Sequence, residues 1–219
     1  EYTTSHVSVN GRTCDLVDLP GIYSLISIDR ASEESKKFLI EQDSDVIINV
    51  VDASILSRSL ELTLQLLELD KPMVLCLNMM DEAQRKGIQI DVDMLAEILQ
   101  IPVVTTIGSK GQGVDELFDT AFQTLKSGNR GQSLPMSRHV EEKVQHIEKI
   151  LSNHPNLAPN WNHRLLAIKL VEEDPYFIEQ IELGGVLGRE LKTIQQQLEA
   201  EHDQSADQVI SSERHSKAM

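Results

Sequence analysis

Residues 45–51 read DVIINVV, a short and nearly continuous β-branched run that is typical of a strand buried on both faces. Similar runs follow at 73–77 (MVLCL) and at 103–107 (VVTTI). Segments with apolar residues at helical spacing lie between or after these runs, at 56–69, 94–99 and 114–125. Strands that alternate with helices of this length form crossover units, so the pattern predicts a doubly wound α/β domain with a mostly parallel sheet.

The residues before the first buried run predict a hairpin and one more helix. Strand-like residues 6–9 and 12–17 flank Asn10-Gly11, a dipeptide favoured in tight hairpin turns because both positions tolerate positive φ. Residues 32–42 have a polar start and clustered apolar residues, which indicates a short helix. We therefore expect one antiparallel edge on the parallel sheet.

The character of the chain changes after residue 126. A polar, glycine-containing linker occupies 127–136, and no β-branched run appears beyond it. Helical patterns follow at 137–152, 161–173, 176–183 and 186–200. We predict an α/β domain at 1–126 and a small all-helical domain at 137–202. The polar composition of 203–219 predicts a frayed tail or tether.

The overall composition excludes several classes of protein. Lys and Arg number 20 against 35 Asp and Glu, a net charge of −15, so we expect no nucleic-acid partner. No window approaches the roughly 18 apolar residues of a membrane-spanning helix, and we expect this segment to be soluble. Cys14 and Cys76 lie in strand-like runs without metal-ligand spacing, which predicts small buried side chains in a reducing compartment.

The first candidate site residues follow the second strand of the predicted hairpin. In an open parallel sheet, ligands bind outside the carboxyl ends of the strands. Asp18 and Gly21 form a D-x-x-G there. The aspartate can hold magnesium, usually through a water, and the glycine lets a backbone N–H approach a terminal phosphate. A plain strand-ending turn is the alternative.

An N-x-x-D follows the run at 73–77, formed by Asn78 and Asp81. A carboxylate can accept hydrogen bonds from both N1–H and the N2 amino group of guanine, and the asparagine amide can meet N7 and tie neighbouring loops. The alternative is an Asx turn that caps the next helix. The third buried run leads into a glycine-bearing loop at 107–113, whose backbone N–H groups could reach the guanine carbonyl oxygen. The occurrence of all three at successive strand ends favours a nucleotide site.

Four segments together resemble the cytosolic G domain of FeoB-type ferrous iron transporters. They are DLPGIYSL at 18–25, INVVDA at 48–53, LELTLQLLE at 60–68 and LNMMD at 77–81. The resemblance covers about residues 5–126. The helical segment after it is similar, in position and helicity, to the helical domain that follows the G domain in that family. The resemblance implies a P-loop GTPase-like fold for the first domain.

The resemblance also implies a function. The parent protein would bind GTP with Mg²⁺, hydrolyse it slowly, and couple the nucleotide state to Fe²⁺ passage through its own downstream membrane domain. It would lie at the cytoplasmic face of the inner membrane, and the sequence leaves open whether it forms a homo-oligomer. The implied GTP-binding residues are Asp18 (on magnesium, through water), Gly21 (at the γ-phosphate), Asn78, Asp81, Thr106, Ile107 and Gly108. The implied switch and coupling residues are Leu19, Pro20, Ile22 and Tyr23.

The chain departs from the GTPase pattern in three places. Only 17 residues precede Asp18, and none of them forms the phosphate loop GxxxxGK[ST]. We therefore expect an N-terminally truncated, partial G domain that lacks the phosphate-loop strand and is inactive by itself. Ile22 stands where many GTPases carry a water-positioning glutamine, so no catalytic residue is identified. Ile107-Gly108 replaces the usual Ser-Ala pair of the base-side loop.

Two other functions stay open from the residues alone. One is a soluble GTPase of ribosome assembly or tRNA modification, which would need a basic appendage to hold RNA. The other is a non-catalytic interaction module with a G-domain-like fold. Direct iron binding is not expected, because the seven histidines show no tight ligand spacing and fit solvated helix faces.

Overall fold

The computed structural model describes residues 2–22, 24–25, 30–42, 44–158, 161–181 and 183–219. The chain divides into two compact units, Glu1–Ser133 and Leu134–Met219. Each unit has its own buried apolar residues and is described by itself below.

A three-stranded parallel sheet forms the centre of the first unit, with the strand order β3-β4-β5. The predicted parallel sheet is thereby confirmed. Its strands are β3 (Ile47–Asp52), β4 (Met73–Asn78) and β5 (Val103–Thr105). The helices of this unit are α1 (Arg30–Glu41), α2 (Leu56–Leu67), α3 (Met80–Arg85), α4 (Val92–Leu99) and α5 (Val114–Ser127).

The core of the first unit lies between the sheet and α5. Every residue of β4 from Met73 to Leu77 is buried, as expected of a central strand covered on both faces. Val74 and Cys76 pack with Leu117 and Ala121 of α5 in one apolar cluster. This packing fixes the direction of β4, and hence the position of the residues that follow its carboxyl end.

The predicted hairpin is present as β1 (Thr3–Val9) and β2 (Arg12–Asp18), joined by a two-residue turn. Asn10 and Gly11 both have positive φ, 51° and 74°, as a hairpin turn of this type requires. The hairpin does not form an edge of the parallel sheet, however, but a two-stranded sheet of its own. Paired strands lie about 4.8 Å apart. The absence of any pair between β2 and β3 among the described residues therefore means that these strands are not neighbours.

Contacts with α5 hold the hairpin to the first unit. The Arg12 guanidinium lies 5.1 Å from the ring centroid of Phe122 and 3.5 Å from the Asp119 carboxylate. Asn10 donates a 3.2 Å hydrogen bond to the same carboxylate. Asp119 and Phe122 both belong to α5, so the turn end of the hairpin is anchored to the helix that also covers β4.

The second unit is helical in its described residues. Its helices are α6 (Arg138–Asn153), α7 (His163–Val171), α8 (Pro175–Glu179), α9 (Gly185–His202) and α10 (Ala206–Ala218). All residues of α7 from Leu165 onward are buried, which makes α7 the central helix of this unit. Among the described residues of the whole chain, no helix has the length and apolar character needed to cross a bilayer.

The C-terminal residues differ from the predicted polar tail. Residues 206–218 form α10, whose buried residues recur at helical spacing on one face: Ala206, Val209, Ile210, Arg214 and Ala218. The composition looks polar because the other faces of the helix are exposed and because one core-facing residue is an arginine. Arg214 forms a buried ion pair with Glu172, the residue that caps the end of α7.

Candidate functional site

The parallel strands bring the second and third sequence motifs to one edge of the sheet. The register pairs Asp52 with Asn78 and Leu77 with Thr105, so β3, β4 and β5 all end at the same level. Asn78 is the last residue of β4, and Thr106 follows the last residue of β5. The Asp52 carboxylate accepts a 2.8 Å hydrogen bond from Ser54 N–H and caps the turn after β3.

Asn78 is the residue that joins the two loops at this edge. Its Oδ1 accepts a 3.0 Å hydrogen bond from the Thr106 hydroxyl and a 2.9 Å bond from Gly108 N–H. Because a backbone N–H can only donate, the second bond fixes the orientation of the amide. The prediction that Asn78 ties neighbouring loops is met by these contacts.

A buried thiol supports the Thr106 hydroxyl from behind. Cys76 Sγ lies 3.2 Å from Thr106 Oγ1. Because the Thr106 hydrogen goes to Asn78, the thiol acts as the donor in this contact. Burial raises the pKa of Cys76, which keeps the thiol protonated for that role. The predicted burial of Cys76 is confirmed, whereas Cys14 is only half-buried.

Asp81 lies in the first turn of α3, the helix that begins at Met80, just after Asn78. Its Oδ2 is 2.8 Å from the Lys110 ammonium, and its Oδ1 accepts a bond from Glu82 N–H. The Lys110 hydrogen bond lowers the pKa of Asp81, so the group is a carboxylate that can act only as an acceptor. Lys110 was not predicted as a site residue, since a pair 29 positions apart leaves no local signal in the sequence.

The loop at 107–113 is built on glycine conformations. Gly108–Lys110 form a single 3-10 turn, closed by a bridge between Ile107 and Gln112. Gly113 has φ +77°, and a Cβ there would lie 2.2 Å from the Thr105 carbonyl oxygen. At Gly108 a Cβ would lie 3.4 Å from Asn78 Oδ1, which is ordinary contact. The loop shape therefore depends on glycine at 113 more than at 108.

The D-x-x-G residues lie at the end of the hairpin. Asp18 is the last residue of β2 and is exposed. The Pro20 carbonyl accepts a 3.1 Å hydrogen bond from the Ser35 hydroxyl of α1. A Cβ at Gly21 would meet no described atom within 4 Å, and Gly21 does not have positive φ. No described contact joins this group to Asn78 or Asp81, and Tyr23 lies outside the described residues.

Gln65 of α2 anchors the segment after the D-x-x-G, which the sequence analysis missed. Its Oε1 accepts a 2.5 Å hydrogen bond from Leu25 N–H and lies 3.2 Å from the Ser24 hydroxyl. Both Gln65 and Leu25 are buried. A glutamine among the leucines of an apolar helix face was the available signal, because a buried amide needs a partner.

Comparison with known proteins places both units in one family. The model for Ferrous iron transport protein B matches residues 1–121, more than half of the chain. The model for the FeoB cytosolic helical domain matches residues 137–219. The chain belongs to the FeoB family. The match to the FeoB helical domain includes α10. It therefore agrees with the structure, which has a helix where the sequence predicted a tail.

Individual FeoB proteins show the same relationship. The chain is 37% identical over 164 residues to an Fe(2+) transport protein A/Fe(2+) transporter FeoB fusion protein of Porphyromonas gingivalis, covering 73% of the chain and 19% of that protein. It is 34% identical over 180 residues to the Fe(2+) transporter FeoB of Escherichia coli K12, covering 80% and 23%. The chain thus spans about a fifth of the length of the curated relatives it matches.

Solved structures of NFeoB from S. thermophilus have the same fold. A variant bound to GMPPNP superposes with a TM-score of 0.88 at 30% identity, over 98% of this chain and 83% of that one. The protein bound to GDP.AlF4- and K+ gives a TM-score of 0.87 at 30% identity, with the same coverage. The predicted P-loop GTPase-like fold with a helical domain is therefore confirmed for this FeoB chain.

Proposed function

We propose that the first unit binds guanine nucleotides and reads the base with Asn78 and Asp81. The observation that carries this proposal is the pair of hydrogen bonds by which Asn78 Oδ1 holds Thr106 and Gly108 at the sheet edge. With Oδ1 so engaged, the amide nitrogen of Asn78 is the group that meets guanine N7. The Asp81 carboxylate accepts from N1–H and the N2 amino group, and the base displaces Lys110 from part of that carboxylate.

The base-side loop completes the recognition of guanine. Thr106, Ile107 and Gly108 form the rim of this loop, where a backbone N–H can be shared between Asn78 Oδ1 and the guanine carbonyl oxygen. Because the usual Ser-Ala pair is absent here, recognition rests on backbone groups. Adenine offers an amino group instead of this carbonyl oxygen, so the loop also disfavours adenine nucleotides.

The phosphate side of the site would involve Asp18 and Gly21. An exposed carboxylate at a strand end matches the oxygen ligands that Mg²⁺ prefers, so Asp18 would hold the ion through a water. The ion would neutralise phosphate charge when bound. Gly21 has no positive φ, and a Cβ there would meet no described atom within 4 Å, so its surroundings leave room for the close approach of a phosphate. Leu19, Pro20, Ile22 and Tyr23 would form the switch segment beside it.

Family membership supports a proposal for the activity of the parent protein. We propose GTP hydrolysis coupled to Fe²⁺ passage through a membrane domain, with the present units at the cytoplasmic face of the inner membrane. The NFeoB structures with GMPPNP and with GDP.AlF4- support the nucleotide part of this proposal. The net charge of −15 and the family match disfavour the RNA-dependent GTPase alternative.

Exchange of Asp81 for asparagine in the full-length parent tests the base-recognition proposal. Asparagine offers one acceptor and one donor, which suits xanthine, whereas guanine offers two donors. Loss of two hydrogen bonds to a charged group is expected to weaken GTP binding about a hundredfold. Binding of xanthosine triphosphate should improve in the same variant. Fluorescence competition between the two nucleotides measures both changes.

Glu82→Gln is the matched control. Glu82 neighbours Asp81 on α3 and pairs with Arg85, so its neutralisation removes the same charge without touching the base. The two nucleotides should keep their wild-type order in this variant. Equal loss of GTP binding in both variants would show that charge alone acts here, and would contradict base reading by Asp81.

A further inference from the structure

Three potential metal ligands meet on the surface of the second unit. His139 lies in the first turn of α6, and Glu201 and His202 end α9. One ligand atom from each of the three residues lies within 4.8 Å of the other two. The two Nε2 atoms are 2.8 Å apart, with ring planes 19° from parallel. Sequence spacing could not reveal this group, because 63 positions separate the two histidines.

The hydrogen bonds around His139 fix which of its nitrogens carries a proton. The Ser137 hydroxyl donates its single hydrogen to Glu213 over 2.6 Å. Ser137 Oγ also lies 3.2 Å from His139 Nδ1, so in this contact the imidazole must be the donor. A neutral His139 therefore carries its proton on Nδ1 and directs the Nε2 lone pair at the cluster. An acceptor behind the second ring nitrogen, here the Ser137 hydroxyl that Glu213 holds in place, is the kind of support that orients a metal-binding histidine.

Glu201 supplies the third group as an anion. Lys143 Nζ contacts both carboxylate oxygens, at 3.0 and 2.7 Å. Each carboxylate oxygen has a second lone pair, so Glu201 can bind a cation while it keeps Lys143. The Lys143 ammonium also repels a cation at the cluster, and this repulsion limits the affinity.

We propose that His139, His202 and Glu201 form a binding site for a divalent first-row transition-metal ion. Two imidazoles and a carboxylate suit Zn²⁺, Co²⁺, Ni²⁺ and Fe²⁺, whereas Mg²⁺ and Ca²⁺ prefer oxygen ligands alone. Two bonds of about 2.1 Å at about 90° would place the nitrogens about 3.0 Å apart, close to the observed separation. His139 is exposed and His202 is half-buried, so a small rotation of the rings admits the ion, and water fills the remaining positions.

The site is independent of the proposed nucleotide function. All of its ligands and supporting residues belong to the second unit: Ser137, His139, Lys143, Glu201, His202 and Glu213. Metal binding there ties the first turn of α6 to the last turn of α9. We therefore expect the ion to stabilise the second unit whether or not a nucleotide is present.

Metal titration of the untagged 219-residue chain tests the proposal. We expect one equivalent of Co²⁺ or Zn²⁺ to bind in isothermal titration calorimetry, and Mg²⁺ not to compete. Bound Co²⁺ should give visible d–d absorption with nitrogen ligation. His139→Ala and His202→Ala should each weaken binding at least tenfold. Lys143→Met should strengthen it several-fold, because a competing cation is removed.

His146→Ala is the matched control. His146 is an exposed histidine of the same helix, and it contacts a single carboxylate, Glu190, at 3.0 Å. Its removal should leave the metal affinity unchanged. A wild-type chain that binds Co²⁺ no more tightly than the His139→Ala/His202→Ala double variant would overturn the proposal. Unfolding temperatures of the metal-free proteins show whether each variant is folded, and the wild-type titration decides the matter by itself.

Discussion

Gly113 shows how a single residue shapes the base-side loop. Its φ is +77°, and a Cβ at this position would lie only 2.2 Å from the Thr105 carbonyl oxygen, so no side chain fits there. Gly113→Ala should lower the free energy of unfolding by more than about 2 kcal/mol, from backbone strain plus displacement of the carbonyl. Urea unfolding measures this loss. The variant should also weaken nucleotide binding, because the same loop holds Gly108 against Asn78.

Gly111→Ala separates backbone strain from steric overlap. Gly111 has a similar φ, +67°, but a Cβ there would meet no described atom within 4 Å. The free energy of unfolding of this variant should fall by about 1 kcal/mol, which is the cost of the left-handed backbone conformation for alanine alone. Equal losses of stability in the Gly111→Ala and Gly113→Ala variants would mean that the Thr105 carbonyl does not restrict the side chain at position 113.

The sequence predicted which residues meet at the edge of the sheet better than it predicted their partners. Asn78, Thr106 and Gly108 meet as expected, since the ends of parallel strands share one edge. Lys110 was missed although it lies within the quoted loop. Its pairing with Asp81 depends on how the loop folds over α3, and an exposed lysine has no pattern that reveals such a contact.

Among the elements, α2 holds the segment after the D-x-x-G through a buried hydrogen bond from Leu25 N–H to Gln65. Gln65→Leu keeps the apolar packing of α2 but leaves Leu25 N–H buried without its acceptor. An unpaired buried donor costs about 1–3 kcal/mol, so this segment should open more readily. Hydrogen exchange at the Leu25 amide should accelerate at least fivefold, while exchange in β4 stays slow.

Thr63→Val provides the control on the same helix. Thr63 accepts a buried 2.8 Å hydrogen bond from the Asn49 side chain of β3, and its hydroxyl lies 3.4 Å from the Ser59 carbonyl oxygen of the same helix. Its loss should destabilise the first unit without selective exchange at Leu25. Selective opening at Leu25 in the Thr63 variant as well would mean that α2 loosens as a whole, contrary to a specific role of Gln65.

Elements with strong periodicity were predictable, and those that depend on partners were not. The hairpin turn follows from Asn10-Gly11 alone, because few residues accept positive φ at both positions. The place of the hairpin outside the parallel sheet depends on strand neighbours rather than on local sequence. Helix α10 was read as a tail because its one apolar stripe is short and includes Arg214, whose burial depends on Glu172.

At the scale of the whole molecule, a buried charge cluster links the stability of the second unit to pH. Glu172 pairs with Lys169 at 2.8 Å and with Arg214, and all three residues are buried. Burial alone would raise the pKa of Glu172, but the charges of Arg214 and Lys169 outweigh it and lower the pKa to about 2. A carboxyl group with a lower pKa in the folded state than in the unfolded chain stabilises the folded state. This stabilisation is present at pH values above the pKa of the unfolded chain, which is near 4.5 for Glu172.

The free energy of unfolding of the second unit should therefore fall by about 3 kcal/mol as the pH drops from about 5 to about 2. Trp161 is the single tryptophan of the chain and lies in this unit, so its fluorescence follows the unit alone.

Glu172→Gln should remove most of this pH dependence. It should also destabilise the unit by about 3–5 kcal/mol at pH 7, because two buried cations lose the negative charge of Glu172. Glu142→Gln, which breaks an exposed 2.9 Å pair with Arg138, should change stability by less than about 1 kcal/mol and keep the wild-type pH profile. A wild-type profile in the Glu172 variant would mean that other carboxylates set the acid sensitivity of the second unit.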